Sequence, residues 1–273
     1  MVDLSRILIT GSEGVIGSQL DFGVKKSHRE LDVTNSKNIK KVCDEINPSG
    51  ILCLSSKDIR SCEKNPSQAH EVNVNGVINL AKEAAKRNIP IILLSTGAIF
   101  NGPVNKSFNE EDTPQPQNIY GQTKYLAEKS LPIITPNYLI IRTGWIFGTN
   151  NSKKIDFIKR MINSLEKGEE VKVVTDQTGS PTYLPDFIDK MKELIQNGFK
   201  GIFHVVNRGI ATPEDILNEI ISIKGINSKS KIIKNKLSQQ EGILRSHSEA
   251  LTSKKVSLRS WKEALKEYFN LKP

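Results

Sequence analysis

The stretch RILITGSEGVIGSQL, residues 6–20, is an apolar run followed by Gly11, Gly14 and Gly17 at G-x-x-G-x-x-G spacing. Glycine in such a loop permits a tight turn and close backbone approach, and a helix N-terminus behind it offers free N–H groups to a pyrophosphate. A plain tight turn can carry the same three glycines, so the surroundings decide the reading. Outward from the loop, the runs at 6–10, 50–55, 90–95 and 137–143 are short, apolar and bounded by turn residues, as buried strands are. The intervals at 35–46, 66–88 and 119–130 carry apolar residues at helical spacing. Strands alternating with helices imply right-handed crossovers and a parallel sheet covered on both faces. The expected fold is α/β, a doubly wound parallel sheet of Rossmann type, with the glycine loop after its first strand.

Beyond residue 148 the elements become shorter and mixed. A helix is expected at 153–166, a strand at 170–175, a turn-rich stretch at 176–183, a helix at 184–196 and a strand at 201–206. The helix at 211–223 has Thr212 as N-cap, Pro213 at its first position, and Glu214 and Asp215 in its first turn. The amphipathic segment SWKEALKEYFNL ends the chain's helical pattern. This divides the chain into a dinucleotide-binding domain, 1–148, and a smaller C-terminal substrate-binding lobe, 149–273, with some elements returning to the sheet.

Of 273 residues, 37% are hydrophobic, which excludes a disordered chain, and the 18 glycines follow no collagen repeat. No run of about 18 apolar residues exists to span a membrane. The opening MVDLSRILIT enters a strand without the layout of a signal peptide, so a cytoplasmic protein is expected. Three cysteines without a C-x-x-C pair argue against a disulfide framework or a zinc site, and no metal is expected. Within ILCL, Cys53 is a small buried hydrophobe rather than a nucleophile. The net charge of +9 is spread among polar residues, and aromatics are only 6%, so a solvated surface is a better account than a nucleic-acid site. A phosphate-bearing ligand remains a partner that positive charge would serve.

Tyr120 and Lys124 in NIYGQTKYLAEK lie four apart on one expected helix face. An ammonium beside the phenol would lower the phenol's pKa and help it exchange a proton near neutrality. Taken alone, such a pair is an ordinary exposed helix pair. Ser95 and Thr96 change its meaning, because they end the strand at 90–95, at the sheet edge where ligands bind. A hydroxyl, a phenol and a lysine near a nicotinamide form a carbonyl-reducing or alcohol-oxidising group.

In chain order, ITGSEGVIG, VNVNGVINLA, LLSTGAIFNG, YGQTK and IIRTGWIFG together resemble the extended short-chain dehydrogenase/reductase family. The stretches KVVTDQTGSPTY and GIFHVVNRGIATPEDI are similar to its dTDP-4-dehydrorhamnose reductase branch. The resemblance covers nearly the whole chain and implies NAD(P)H-dependent reduction of the 4-keto group of a nucleotide-linked deoxysugar. It makes Tyr120 the proton donor, Thr96 a hydrogen-bond partner of the reacting oxygen, and Lys124 the residue that orients the nicotinamide ribose and tunes Tyr120. It assigns cofactor contacts to Gly11, Glu13, Gly14, Val15, Ile16, Gly17, Asp32, Val33 and Ser55, as well as to Tyr120 and Lys124; Asp32 either reaches the adenine or merely caps the next helix. Substrate contacts fall on Gly97, Trp145, Gln177, Thr182 and Arg245. Each has a plainer alternative: a buried structural tryptophan at 145, a solvated arginine at 245, turn-setting residues at Gly179 and Pro181. Asn73 matches a family asparagine or is a structural amide, and His204 is expected to be a satisfied core histidine.

Two departures stand out. Relatives read Ser-Thr-Asp-Tyr-Val-Phe-x-Gly after the fourth strand, whereas this chain has Gly97 and Ala98 in place of the carboxylate and the tyrosine. That disfavours a dehydratase, which needs the acid, and implies a roomier, less polar pocket and a different sugar. The second departure is a short first crossover, with a first helix of about two turns and then Lys25, Lys26, Ser27, His28 and Arg29. Basic residues there, with no acidic partner for a ribose 2′-hydroxyl, favour NADP(H) and assign Arg29 to the 2′-phosphate. NAD(H) and a merely solvated basic turn are the alternatives. Other open readings are a non-catalytic regulatory subunit of the same fold and an epimerase, and an apolar face on the 66–88 or 119–130 helix would support a homodimer.

Overall fold

The computed structural model describes residues 1–149, 156–225, 230–239 and 242–270. Six strands form the central sheet: β1 (Ile7–Thr10), β2 (Val24–Lys26), β3 (Gly50–Cys53), β4 (Ile91–Thr96), β6 (Tyr138–Thr143) and β10 (Gly201–His204). Between and beyond them lie the short strands β5 (Ser107–Phe108), β7 (Trp145–Phe147), β8 (Val171–Val174), β9 (Pro181–Tyr183), β11 (Ile232–Asn235) and β12 (Ala250–Leu251). The helices are α1 (Ser36–Ile46), α2 (Ile59–Lys64), α3 (Pro66–His70), α4 (Gly76–Lys86), α5 (Ile119–Ile134), α6 (Phe157–Glu166), α7 (Leu184–Gln196), α8 (Pro213–Lys224) and α9 (Trp261–Asn270). The central order is β10-β6-β4-β3-β1-β2, parallel throughout, so the chain reverses direction across the sheet between β1 and β3.

Alternation along the strands sends residues to two cores. Leu8, Ile51, Leu93 and Ile140 face α1, α4 and α5 through Val42, Leu80, Ala127 and Leu131. Ile7, Ile9, Leu52, Ile92, Leu139 and Ile141 face the other way, onto Phe187, Met191, Leu194 and Ile195 of α7. A third cluster, including Phe147, Ile162, Val173, Leu217 and Leu265, is built around β7–β9, β8, α6, α8 and α9. Thr212 caps α8 in a reciprocal box with Asp215, as its sequence implied.

Four local expectations need correction. The two-turn helix after the glycine loop is only a 3₁₀ turn, Gly17–Gln19, because β2 already begins at Val24 and leaves no room to wind further. The helix at 66–88 is interrupted by a π-helical turn at Glu71–Asn75 that aims Asn73 inward. Helix α5 runs past 130 and over Pro132 to Ile134, held by burial of Leu131 in the core. The turn-rich stretch 176–183 contains strand β9, paired in parallel with β7. Residues 153–155 and 271, part of two expected helices, lie outside the described residues. Among the described residues no helix is long and apolar enough to cross a membrane.

Candidate active site

Gly11 takes φ +70°, and a Cβ there would stand 2.8 Å from the Ser55 nitrogen, so the loop lies directly on the end of β3. A cleft of about 290 Å³ opens at this reversal between β1 and β3, lined by Gly11, Glu13, Gly14, Asp32, Val33 and Ser55. Lys57 brings positive charge to its wall, and the His28 imidazole lies beside it. Thr10 Oγ1 accepts from the Leu54 and Ser55 amides, both at 3.3 Å, which fixes the cleft floor. Burial works to raise the pKa of Asp32, but hydrogen bonds from the Thr34 amide and hydroxyl outweigh it and leave a lowered value.

The cleft suits the phosphate and adenosine end of a dinucleotide. Among the described residues nothing accepts from the amides of Val15 and Ile16, leaving two loop N–H groups for an anion. Ile16 turns its side chain to the core and Gly17 is buried. Arg29 is exposed and does not line the cleft; His28 does. The other basic side chains are engaged elsewhere, Lys25 Nζ on the Leu20 carbonyl at 2.5 Å and Lys26 beside Glu30 at 3.7 Å.

Thr96 ends β4 and Tyr120 opens α5, whose N-cap Asn118 accepts from the Gly121 amide at 2.9 Å. The Thr96 hydroxyl lies near enough to the Tyr120 phenol to favour its ionised form. Tyr120 keeps some surface, yet its phenol lies deep enough that burial pushes its pKa up to about 12, with the Thr96 hydroxyl only partly opposing. Lys124, 4% exposed, donates to the Leu94 carbonyl at 2.6 Å, and burial lowers its pKa. The expected lowering of the phenol pKa by the lysine is thus overturned: desolvation raises it, and the ammonium is tied to β4.

Asn73 joins the cleft to this helix. Its Oδ1 accepts from the Lys57 amide at 2.8 Å, and its Nδ2 donates to Thr123 Oγ1 at 3.0 Å. Thr123 in turn donates to the Tyr120 carbonyl at 2.9 Å. One buried amide therefore sets the distance between the dinucleotide cleft and the phenol-bearing turn.

On the lobe side, a cavity of about 450 Å³ brings Trp145, Gln177 and Arg245 together. Arg60 from α2, Arg160 from α6 and Lys172 from β8 join them, three cations that no local motif singled out. Arg60, Lys172 and Arg245 also border a neighbouring cavity of about 670 Å³. Lys172 lies 3.5 Å from Glu170, whereas the three arginines form no ion pair among the described residues. Such a cluster matches a diphosphate.

Two expected substrate contacts do not reach this cavity. Thr182 is fully buried in β9, its hydroxyl on the Ser180 carbonyl at 3.0 Å. Gly97 is buried as well, and a Cβ there would lie 2.3 Å from the Glu249 carbonyl oxygen. The space beside Gly97 is filled by the tail, which corrects the expectation of a roomier pocket. Glu249 itself accepts from the Trp145 indole N–H at 2.5 Å. His204 is a core residue: its Nδ1 meets the Thr252 carbonyl at 2.8 Å, and its Nε2 lies 3.2 Å from Arg142, which is paired with buried Glu128.

A dinucleotide-type cleft, a phenol–hydroxyl–lysine group at the sheet edge and a cationic lobe cavity together define a dinucleotide-dependent sugar-nucleotide enzyme fold. The chain belongs to the RmlD substrate binding domain family, which it matches over residues 5–272. The spore coat polysaccharide biosynthesis protein SpsK of Bacillus subtilis is 27% identical, over 97% of each chain. A dTDP-4-keto-6-deoxy-D-glucose reductase of Streptomyces niveus is 30% identical over 81% of this chain and 79% of its own. The crystal structure of dTDP-4-dehydrorhamnose reductase from Bacillus anthracis, in complex with NADP, superposes with a TM-score of 0.89 at 27% identity, over 98% of this chain and 99% of that one.

Proposed function

We propose that the chain is an NAD(P)H-dependent reductase of the 4-keto group of a nucleotide-linked deoxysugar, similar to dTDP-4-dehydrorhamnose reductase. The observation that supports this reading is the grouping of Thr96, Tyr120 and Lys124 at the end of β4 and the start of α5, joined through Thr123 and Asn73 to the Lys57 wall of the dinucleotide-type cleft. When bound, the reduced nicotinamide supplies the hydride to the carbonyl carbon. Tyr120, a neutral phenol at physiological pH, gives its proton to the carbonyl oxygen, and Thr96 hydrogen-bonds the same oxygen. Lys124 holds the nicotinamide ribose and, as a nearby cation, stabilises the phenolate left behind. Arg60, Arg160, Lys172 and Arg245 hold the diphosphate, and Trp145 walls the sugar.

His28 and Lys57 beside the cleft support NADP(H) over NAD(H), as does the NADP complex of the Bacillus anthracis relative. A homodimer through the outer face of α5, which carries exposed Leu126 and Ile133, belongs to the same reading and is checked by analytical ultracentrifugation.

The deciding experiment is Tyr120→Phe, which keeps the ring and removes one hydroxyl. NADPH oxidation with dTDP-4-keto-6-deoxysugars should fall by about 10²–10⁴ in kcat. NADPH affinity should persist, because the phosphates lie on the glycine loop. Undiminished turnover in Tyr120→Phe, or a parent protein that binds NADPH and reduces none of these sugars, overturns the reading.

A further inference from the structure

Helix α5 and strand β4 present the reacting groups, but the wall facing them comes from a segment far along the chain. The Glu249 main chain lies against Gly97, one residue from Thr96, so close that no side chain fits at 97. Its amide donates to the Thr178 carbonyl at 3.1 Å, and Gly179 leaves the Trp145 ring room to lie against the same loop. One carboxylate oxygen accepts from Trp145 Nε1 at 2.5 Å, and Trp145 borders the cationic cavity. Among the described residues nothing donates to the second oxygen. Glu249 is close enough to Tyr120 for its charge to act on the phenol, and Arg245 acts on Glu249 in turn. The carboxylate is therefore tied to the cavity through Trp145 and lies within electrostatic reach of Tyr120.

We propose that Glu249 is a specificity-determining residue of the sugar pocket: its second carboxylate oxygen accepts a hydrogen bond from the sugar hydroxyl on the ring carbon next to the reacting carbonyl, C3 for a 4-ketosugar. This rests on the reductase reading for the identity of the ligand. The chemistry selects the partner. A carboxylate repels a diphosphate, which the cations beyond Trp145 take instead, so the group it meets must be a donor, and the sugar's donors are its hydroxyls. Trp145 holds the first oxygen and so fixes the direction of the second. No side chain fits at the position after Thr96, and the tail supplies an acid from the other side.

The test uses Glu249→Gln, which keeps an oxygen for Trp145, and Glu249→Ser as a second variant, each verified as folded by its thermal transition. Calorimetry compares dTDP, dTDP-glucose and dTDP-3-deoxyglucose, none of which can be reduced. For the parent, dTDP-glucose should bind about ten- to a hundredfold tighter than its 3-deoxy analogue, as for a hydrogen bond to a charged acceptor. Both variants should lose that preference while binding dTDP as the parent does. A preference retained in both variants, an equal loss for dTDP, or a parent without the preference overturns the proposal. NADPH oxidation on 4-ketosugars is measured separately on the parent. If the parent reduces none yet the calorimetric pattern holds, the reductase reading fails and Glu249 stands. If the parent reduces them and the pattern is absent, only the assignment of Glu249 fails.

Discussion

Gly97→Ala adds one methyl group where the structure has no space for it. The new Cβ would stand 2.3 Å from the Glu249 carbonyl oxygen and 3.4 Å from Leu251 Cγ. Ordinary contact requires the oxygen to retreat by roughly 1 Å, and overpacking of this kind costs about 1–3 kcal/mol. The retreat also strains the Trp145–Glu249 hydrogen bond and the Glu249–Thr178 bond, which hold the tail to the lobe. Losing a hydrogen bond to a charged acceptor costs a further ~1.5–3 kcal/mol. At a few degrees per kcal/mol for a domain of this size, the melting temperature should fall by about 5–15 °C. Circular dichroism melts and urea titration measure the loss, and steady-state kinetics should give a raised KM for the sugar nucleotide with the KM for NADPH unchanged. A variant that melts within 1 °C of the parent (~1 °C being near the resolution of such melts) with an unchanged sugar KM would refute the close-packing argument. Gly97→Asp follows the same logic and should not restore the family's arrangement.

Two other perturbations probe the cleft and the core. Replacing His28 and Lys57 together by Ala should weaken NADPH binding by about tenfold or more and NADH binding by less, whereas Arg29→Ala should leave both unchanged; fluorescence titration with each cofactor decides this, and the opposite ranking would restore Arg29 to the site. Burial, with the Arg142 charge, lowers the His204 pKa to about 4 from the ordinary 6.5, so the unfolded chain binds the proton more readily between those values. Stability should therefore decline as pH falls from about 6.5 to 4, by up to roughly 3 kcal/mol, and His204→Gln should flatten that part of a urea-midpoint profile.

The parallel sheet was legible because its strands are short, apolar and separated by helical periodicity, and the strand at 90–95 proved to end on Thr96 as the chemistry required. Tyr120 and Lys124 were legible as one helix face. Their electrostatics were not, because spacing says nothing of depth: Lys124 reaches the Leu94 carbonyl, and burial raises the pKa of the phenol. The π-helical turn at Glu71–Asn75 was hidden for a related reason. Its cause is tertiary, the demand of Lys57 and Thr123 on one asparagine side chain, and the local sequence reads as an unbroken helix. The basic turn was visible as composition, but whether His28 or Arg29 faces the cleft depends on how the brief β2 strand delivers it.

The pair at 97 and 249 shows why a departure from a family pattern cannot be interpreted one position at a time. Read along the chain, glycine for an acid at 97 means a smaller side chain and hence an emptier pocket. Read in space, the missing side chain is the condition for the Glu249 carbonyl to approach, because a Cβ and that oxygen claim the same volume. The approach then carries a carboxylate to Trp145 and toward Tyr120, so the absence of a side chain on one segment and the presence of an acid on another are a single packing event. The 152 positions that separate them (249 − 97) place that event beyond any periodicity or motif spacing. Only the folded tail brings the two together, and no sequence motif marks Glu249, although Arg245 lies four residues before it.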